Sequence, residues 1–263
     1  MNKEIILKVE DLSVSYKDNK ILQNINLNIE RGKIYSIIGT NGCGKTTLIR
    51  TLSRNIKPNS GKILLHNSNI FKTNTKEVAK KMAVLFQSND SMSDVTVRSL
   101  IHYGRFAHKR WWQSIENQDN NIVDWAIEKT SLRAFENRKI NTLSGGERQR
   151  AWIAMAIAQK PEILILDEPT TYLDIAHQIE ILELIKKLNK EEGITIVMVL
   201  HDINHAARYS DELIVVRDKG IFAQGNPWEI LKKEILRDVF SIEASITYDE
   251  EGNKPVFYAK KVI

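Results

Sequence analysis

The chain has a single cysteine, Cys43, so no internal disulfide can form and a reducing compartment such as the cytosol is the expected setting. It has no apolar run near the ~18 residues that a membrane-crossing helix needs. The longest candidates, residues 163–166 and 194–200, have the length of buried strands. The opening Met1-Asn2-Lys3-Glu4-Ile5 lacks the apolar core of a secretory signal. There is no internal repeat and no low-complexity linker. Charge is only mildly biased, with 38 Lys and Arg against 33 Asp and Glu, a net +5. An excess this small does not by itself point to nucleic acid or to an anionic membrane. Any work at a membrane is expected to run through a partner, without direct insertion of this chain.

What remains is an ordinary soluble composition over 263 residues, enough for one large domain with a substantial core. Residues 5–29 alternate apolar and polar positions around a turn-like Lys17-Asp18-Asn19-Lys20, the pattern of an antiparallel hairpin. Short apolar runs at 34–38, 82–86, 163–166, 195–200 and 213–216 read as buried strands. Helix-prone stretches at 45–54, 147–159, 175–190 and 203–209 separate most of them, which predicts a largely parallel α/β sheet. Between residues 87 and 143 the strand pattern gives way to polar, helix-prone sequence, with candidate helices at 97–103 and 122–130. This predicts a helical insert. Past Gly225 a helix is expected over 227–239, then a hairpin about Asp249-Glu250-Glu251-Gly252-Asn253.

The sharpest motif is Gly39-Thr40-Asn41-Gly42-Cys43-Gly44-Lys45-Thr46, which fits G-x-x-x-x-G-K-[ST]. It falls between strand 34–38 and helix 45–54, where the chemistry needs it. Glycines let successive N–H groups turn inward into an anion nest, and the helix N-terminus adds free donors and a favourable dipole. Lys45 would reach the β- and γ-phosphates, and the Thr46 hydroxyl would ligate Mg²⁺. Cys43 reads as a small residue whose backbone N–H matters more than its sulfur.

A second cluster closes the apolar run 163–166 with Asp167-Glu168. Adjacent acids at the end of a buried strand are costly without a partner. Ligands of open α/β sheets bind beyond the carboxyl ends of strands, so Asp167 is placed to hold Mg²⁺. Glu168 is then placed to polarise a water as general base. A plain capping role for the pair is the bland alternative. Strand 195–200 ends in His201-Asp202, with Asp202 a candidate helix cap and His201 able to orient a water beside a terminal phosphate. Gln87, after strand 82–86, offers an amide oxygen to metal or water. Leu143-Ser144-Gly145-Gly146-Glu147 contains an S-x-x-E capping box, and its glycine pair leaves a helix N-terminus open to a second anion.

In this order the segments resemble the ATP-binding cassette (ABC) transporter family over nearly the whole chain, with LSGGE standing for the usual LSGGQ signature. The resemblance implies a P-loop NTPase (RecA-like) α/β core with an N-terminal antiparallel β subdomain and an inserted helical subdomain. One ABC domain would fill residues 1–263: β subdomain and core at 1–87 and 160–225, helical subdomain with signature at 88–159, C-terminal helix and hairpin at 226–263. Tyr16 would stack on adenine. Gly39, Thr40, Asn41, Gly42, Cys43, Gly44, Lys45, Thr46 and Thr47 would hold the ATP phosphates. Ser144, Gly145 and Gly146 would face the ATP of a second copy in a head-to-tail homodimer. Thr46, Gln87 and Asp167 would serve Mg²⁺, Glu168, His201 and Gln87 would be catalytic, and Thr171–Asp174 resembles the D-loop.

Three further stretches resemble the ATPase subunits of ferric-siderophore, haem and cobalamin importers, ferrichrome-type importers above all. They are Leu173-Asp174-Ile175-Ala176-His177-Gln178, Leu200-His201-Asp202-Ile203-Asn204-His205-Ala206-Ala207-Arg208-Tyr209 and Gly104-Arg105-Phe106-Ala107-His108. The implied partners are transmembrane permease subunits and, indirectly, an extracytoplasmic substrate-binding protein. The implied place is the cytoplasmic face of the membrane. Importers of haem, cobalamin or a metal ion are the alternatives. A cassette acting on nucleic acid or ribosomes is disfavoured, because there is one set of motifs and no heptad-bearing insertion between residues 87 and 143. Trp111-Trp112 is a candidate contact for a permease, or local packing of the helical insert.

Overall fold

The computed structural model describes residues 4–86, 94–109, 117–249 and 253–263. In chain order the first elements are β1 (Ile5–Tyr16), β2 (Asn19–Glu30), β3 (Ile34–Ile38), α1 (Lys45–Leu52), β4 (Ser60–Leu65), β5 (Ser68–Asn69), α2 (Thr75–Ala79) and β6 (Met82–Leu85). Then come α3 (Val97–Tyr103), α4 (Asn117–Lys129), α5 (Gly145–Ala158), β7 (Ile163–Asp167), α6 (Ile175–Glu192) and β8 (Thr195–Val199). The last are α7 (Ile203–Tyr209), β9 (Glu212–Arg217), β10 (Gly220–Gly225), α8 (Pro227–Ile230), α9 (Lys233–Phe240), β11 (Ile242–Tyr248) and β12 (Pro255–Val262). The chain forms two compact units, residues 1–72 with 197–263, and residues 73–196.

In the first unit β1 and β2 form the anticipated antiparallel hairpin, turning through Lys17 with φ 52°. Its alternation buries Val9, Leu12, Val14, Leu22, Ile25, Leu27 and Ile29 almost completely. β4 adds to the other edge of β1, giving the order β2-β1-β4-β5. Separately, β3 pairs with β9 in parallel and β10 returns antiparallel on β9. All five residues of β3 are buried. A strand buried on both faces is what an unbroken Ile-Tyr-Ser-Ile-Ile run predicts. The C-terminal β11 and β12 form the expected antiparallel hairpin, with β11 packed on α9 and β12 on α7.

In the second unit β6 and β7 pair in parallel, and α5 packs on both α3 and α4. Arg105 joins these helices. It donates to Asp119 at 2.8 Å and to the Ala158 carbonyl at 2.7 Å, with both charged partners buried. An ion pair this dry needs its extra hydrogen bonds, because desolvation otherwise outweighs the attraction.

Several boundaries differ from the sequence reading. α1 stops at Leu52, because Arg54 adopts a left-handed φ of 66°. α5 begins at Gly145 rather than Glu147, so both signature glycines lie inside its first turn. The single helix expected over 227–239 is two: Leu231 leaves helical geometry with ψ 68°, and α9 restarts after it. β4, β5, β10 and α2 were not anticipated. β4 begins Ser-Gly-Lys and β10 reads Gly-Ile-Phe-Ala-Gln-Gly, compositions that hide a strand. Gln87, Trp111 and Trp112 lie outside the described residues. Among the described residues no helix is long and apolar enough to cross a membrane.

Candidate functional site

The phosphate loop runs from the buried end of β3 to the start of α1. Gly39, Gly42 and Gly44 all have positive φ, at 153°, 77° and 109°. Gly44 is the N-cap of α1 and no side chain caps that helix, so its first N–H groups are left to a ligand or solvent. A Cβ on Gly39 would sit 2.3 Å from the Val216 carbonyl oxygen and 2.9 Å from Cys43 Sγ, so a larger residue cannot be seated there. Thr40, Asn41 and Gly42 are exposed; Cys43, Thr46 and Thr47 are half-buried. Lys45 is 6% exposed, and its Nζ donates to the carbonyls of Gly39 and Thr40, each at 2.9 Å. The ammonium thus braces the loop from which it would reach phosphate.

Two more sequence candidates lie in this unit. Tyr16 ends β1 and is 46% exposed. His201 follows β8 and is exposed, one residue before Asp202. Asp202 caps α7 as expected, accepting the His205 N–H at 2.8 Å.

The second unit holds the acids and the signature. β7 is buried along its whole length and ends in Asp167, 4% exposed. Glu168 turns the chain with φ 53°, and the Thr171 hydroxyl donates to its Oε2 at 3.0 Å. Among the described residues no three His, Cys, Asp or Glu side chains converge as a metal cage. A single carboxylate at a strand end is the kind of protein ligand that Mg²⁺ takes, since that ion keeps most of its positions for water and nucleotide phosphates.

Ser144 caps α5 through a full capping box. Its Oγ accepts the Glu147 N–H at 3.2 Å and Glu147 Oε2 accepts the Ser144 N–H at 2.8 Å. The plain structural role of this motif is therefore real. Gly145 is exposed at the helix start, whereas Gly146 is buried. The start of α6 lies against it: a Cβ on Gly145 would meet Leu173 at 3.2 Å, and one on Gly146 would fall 2.2 Å from His177 Cδ2. His177 is held by Asp174, whose Oδ1 accepts the His177 N–H at 2.9 Å and lies 2.7 Å from Nδ1. These bonds, the backbone one first, hold the Asp174 carboxyl below the usual range. The contact of His177 with the signature glycine escaped the sequence reading, since nothing in the spacing of residues 146 and 177 marks them as neighbours.

Gly146→Ala is expected to destabilise the chain by about 1–3 kcal/mol through overpacking, although alanine favours helix more than glycine. Adding His177→Ala should recover most of the loss, because the two changes share one cause. Urea unfolding of the single and double variants checks this. Additive losses would show that the clash is relieved elsewhere.

The ABC transporter family profile matches residues 22–171. The iron(3+)-hydroxamate import ATP-binding protein FhuC of Bacillus subtilis is 46% identical, over 95% of this chain and 93% of its own. The petrobactin import ATP-binding protein FpuC of Bacillus anthracis is 44% identical over 98% and 94%. The ferric enterobactin transport ATP-binding protein FepC of Escherichia coli is 40% identical over 95% and 92%. Among solved structures, a chain of an inward-facing metal-chelate type ABC transporter superposes with a TM-score of 0.85 at 25% identity, covering 98% of both chains. A bacterial ABC transporter cassette solved as a dimer gives 0.74 at 30% identity, covering 84% of this chain and 98% of that one.

Proposed function

The chain belongs to the ABC transporter family as one of its ATPases, and on that premise we propose that it powers an importer of ferric siderophores. The observation that carries the ATPase part of the reading is the presence, in one chain, of two glycine-opened helix starts able to take an anion. One is the phosphate loop of Gly39–Gly44 running into α1. The other is the glycine turn that opens α5, where Gly145 is exposed beside the Ser144 cap. Relatives named for hydroxamate, petrobactin and enterobactin import support the cargo class.

Tyr16 stacks on adenine, a contact worth roughly 1–3 kcal/mol. The N–H groups from Gly39 to Thr47, with the Lys45 ammonium, grip the phosphates. Glu168 accepts the proton of the attacking water, while His201 and Gln87 orient it. Ser144, Gly145 and Gly146 close over the ATP held by a second copy of the chain. Mg²⁺, held by Thr46, Gln87 and Asp167, would offset charge on the β- and γ-phosphate oxygens when bound. The homodimer docks on permease subunits at the cytoplasmic face of the membrane, fed from outside by a substrate-binding protein.

The reading is tested by deleting the gene and measuring uptake of labelled iron from defined hydroxamate and catecholate siderophores under iron limitation. Uptake from at least one class should disappear and return with the parental chain, but not with a Lys45→Met copy. Intact uptake from every ferric siderophore, together with loss of another cargo, would overturn the cargo assignment.

A further inference from the structure

The C-terminal hairpin has no part in the chemistry above, yet it is bolted to the helix that follows His201. The Asn204 side chain makes two hydrogen bonds to one residue of β12. Its Nδ2 donates to the Phe257 carbonyl at 3.1 Å, and its Oδ1 accepts the Phe257 N–H at 3.0 Å. An amide used this way stands in for a neighbouring strand, supplying one donor and one acceptor to the hairpin edge. At the other end of α7, Lys254 Nζ donates at 2.6 Å to the carbonyl of Ser210, the residue that caps the helix. The hairpin is itself anchored, since β11 packs on α9.

α7 is only seven residues long. A helix this short has little stability of its own, so its orientation is set by what holds it. It packs on β3 and on β12. His201 stands one residue before the cap Asp202, and Asn204 lies in the first turn of the helix. Asn204 and His201 are thus three residues apart across a capped helix start. A slide or rotation of α7 would move the backbone that carries the imidazole.

We infer that the β11–β12 hairpin is a positioning element for His201, acting through Asn204 and Lys254. This rests on the catalytic reading of His201 given above. Asn204 itself touches no reacting atom in that reading. Loss of its two bonds leaves ATP binding intact and misplaces the histidine during turnover.

The test uses the full-length chain and its Asn204→Ala, Lys254→Met and His201→Ala variants. ATPase kinetics, thermal melts and ¹H–¹⁵N spectra of the histidine rings are the readouts. Asn204→Ala is expected to lower kcat on the order of tenfold, the scale of a small misplacement, with KM for ATP unchanged. Lys254→Met should move kcat the same way by less. Both should shift the His201 ring signals, assigned by their absence in His201→Ala, and leave those of His177 in place. Parental kcat in Asn204→Ala beside an inactive His201→Ala overturns the inference alone. So does a rise in KM that accounts for the loss, or a His201 signal that does not move. Parental turnover in His201→Ala instead removes the catalytic reading and this inference together, and needs no hairpin variant to detect. Should Asn204→Ala fail to fold, Lys254→Met carries the same readouts, since it alters only the far end of the clamp.

Discussion

Glu168→Gln is expected to cut steady-state ATP hydrolysis by roughly 10²–10⁴-fold while ATP still binds, the range that a positioned general base contributes. The structure explains why this substitution isolates the chemistry. Glu168 sits at φ 53° just past the buried end of β7, a conformation that costs a non-glycine residue about 1–3 kcal/mol and persists only where its surroundings enforce it. Two local bonds do so. The Thr171 hydroxyl donates to Glu168 Oε2 at 3.0 Å, and the Thr171 N–H donates to the Glu168 carbonyl at 3.3 Å. Glutamine has the same shape, keeps the backbone bond, and can still accept from Thr171 through its amide oxygen. What it lacks is a lone pair basic enough to take a proton from water. The variant should therefore retain the parental melting temperature and hold unhydrolysed ATP in a dimer. A thermal melt checks the first point, and size-exclusion chromatography with ATP, followed by nucleotide analysis of the dimer peak, checks the second. Turnover at the parental rate would remove Glu168 from the role of base.

The parts of the molecule that are legible in sequence are those built from contiguous residues. β3 and β7 announce themselves because strands buried on both faces need unbroken apolar runs. The phosphate loop is legible because its glycines, lysine and threonine act through one strand–loop–helix unit. Capping residues are legible for the same reason: Ser144 and Asp202 cap helices as expected. The start of α5 was misplaced because glycine has low helix propensity. The capping box overrides that preference and draws Gly145 and Gly146 into the first turn. Contacts between distant segments could not be read from one sequence. His177 against Gly146 and Asn204 against Phe257 join residues 31 and 53 apart, and nothing local requires them. The motif around residues 200–209, visible only as a family likeness, gains a physical meaning once Asn204 is seen holding β12.

The other large effect is expected at Lys45, where Lys45→Met should weaken ATP binding about 100-fold and abolish measurable hydrolysis. The size follows from the bonds at stake. A hydrogen bond to a charged group is worth about 1.5–3 kcal/mol, and about 1.4 kcal/mol is a tenfold change in binding. Loss of one such bond to phosphate, with partial loss of a second, reaches two powers of ten. The nucleotide-free loop should suffer less. There the ammonium serves the carbonyls of Gly39 and Thr40, both at 2.9 Å, and its loss frees two acceptors at a loop whose neighbours Thr40 and Asn41 are exposed to water. Methionine keeps most of the aliphatic stem in a site that leaves Lys45 only 6% exposed, so the fold should survive. Lys45→Arg separates charge from shape. It keeps the positive charge but brings a planar fork into a space where a compact ammonium meets two converging carbonyls. If charge alone mattered, Lys45→Arg would bind ATP like the parent. The geometry predicts instead that it binds weakly too, because the group must trade two carbonyl oxygens for phosphate oxygens within one small cradle. Titration calorimetry with ATP on both variants decides this. Parental affinity in Lys45→Met would mean that the backbone nest grips the phosphates unaided.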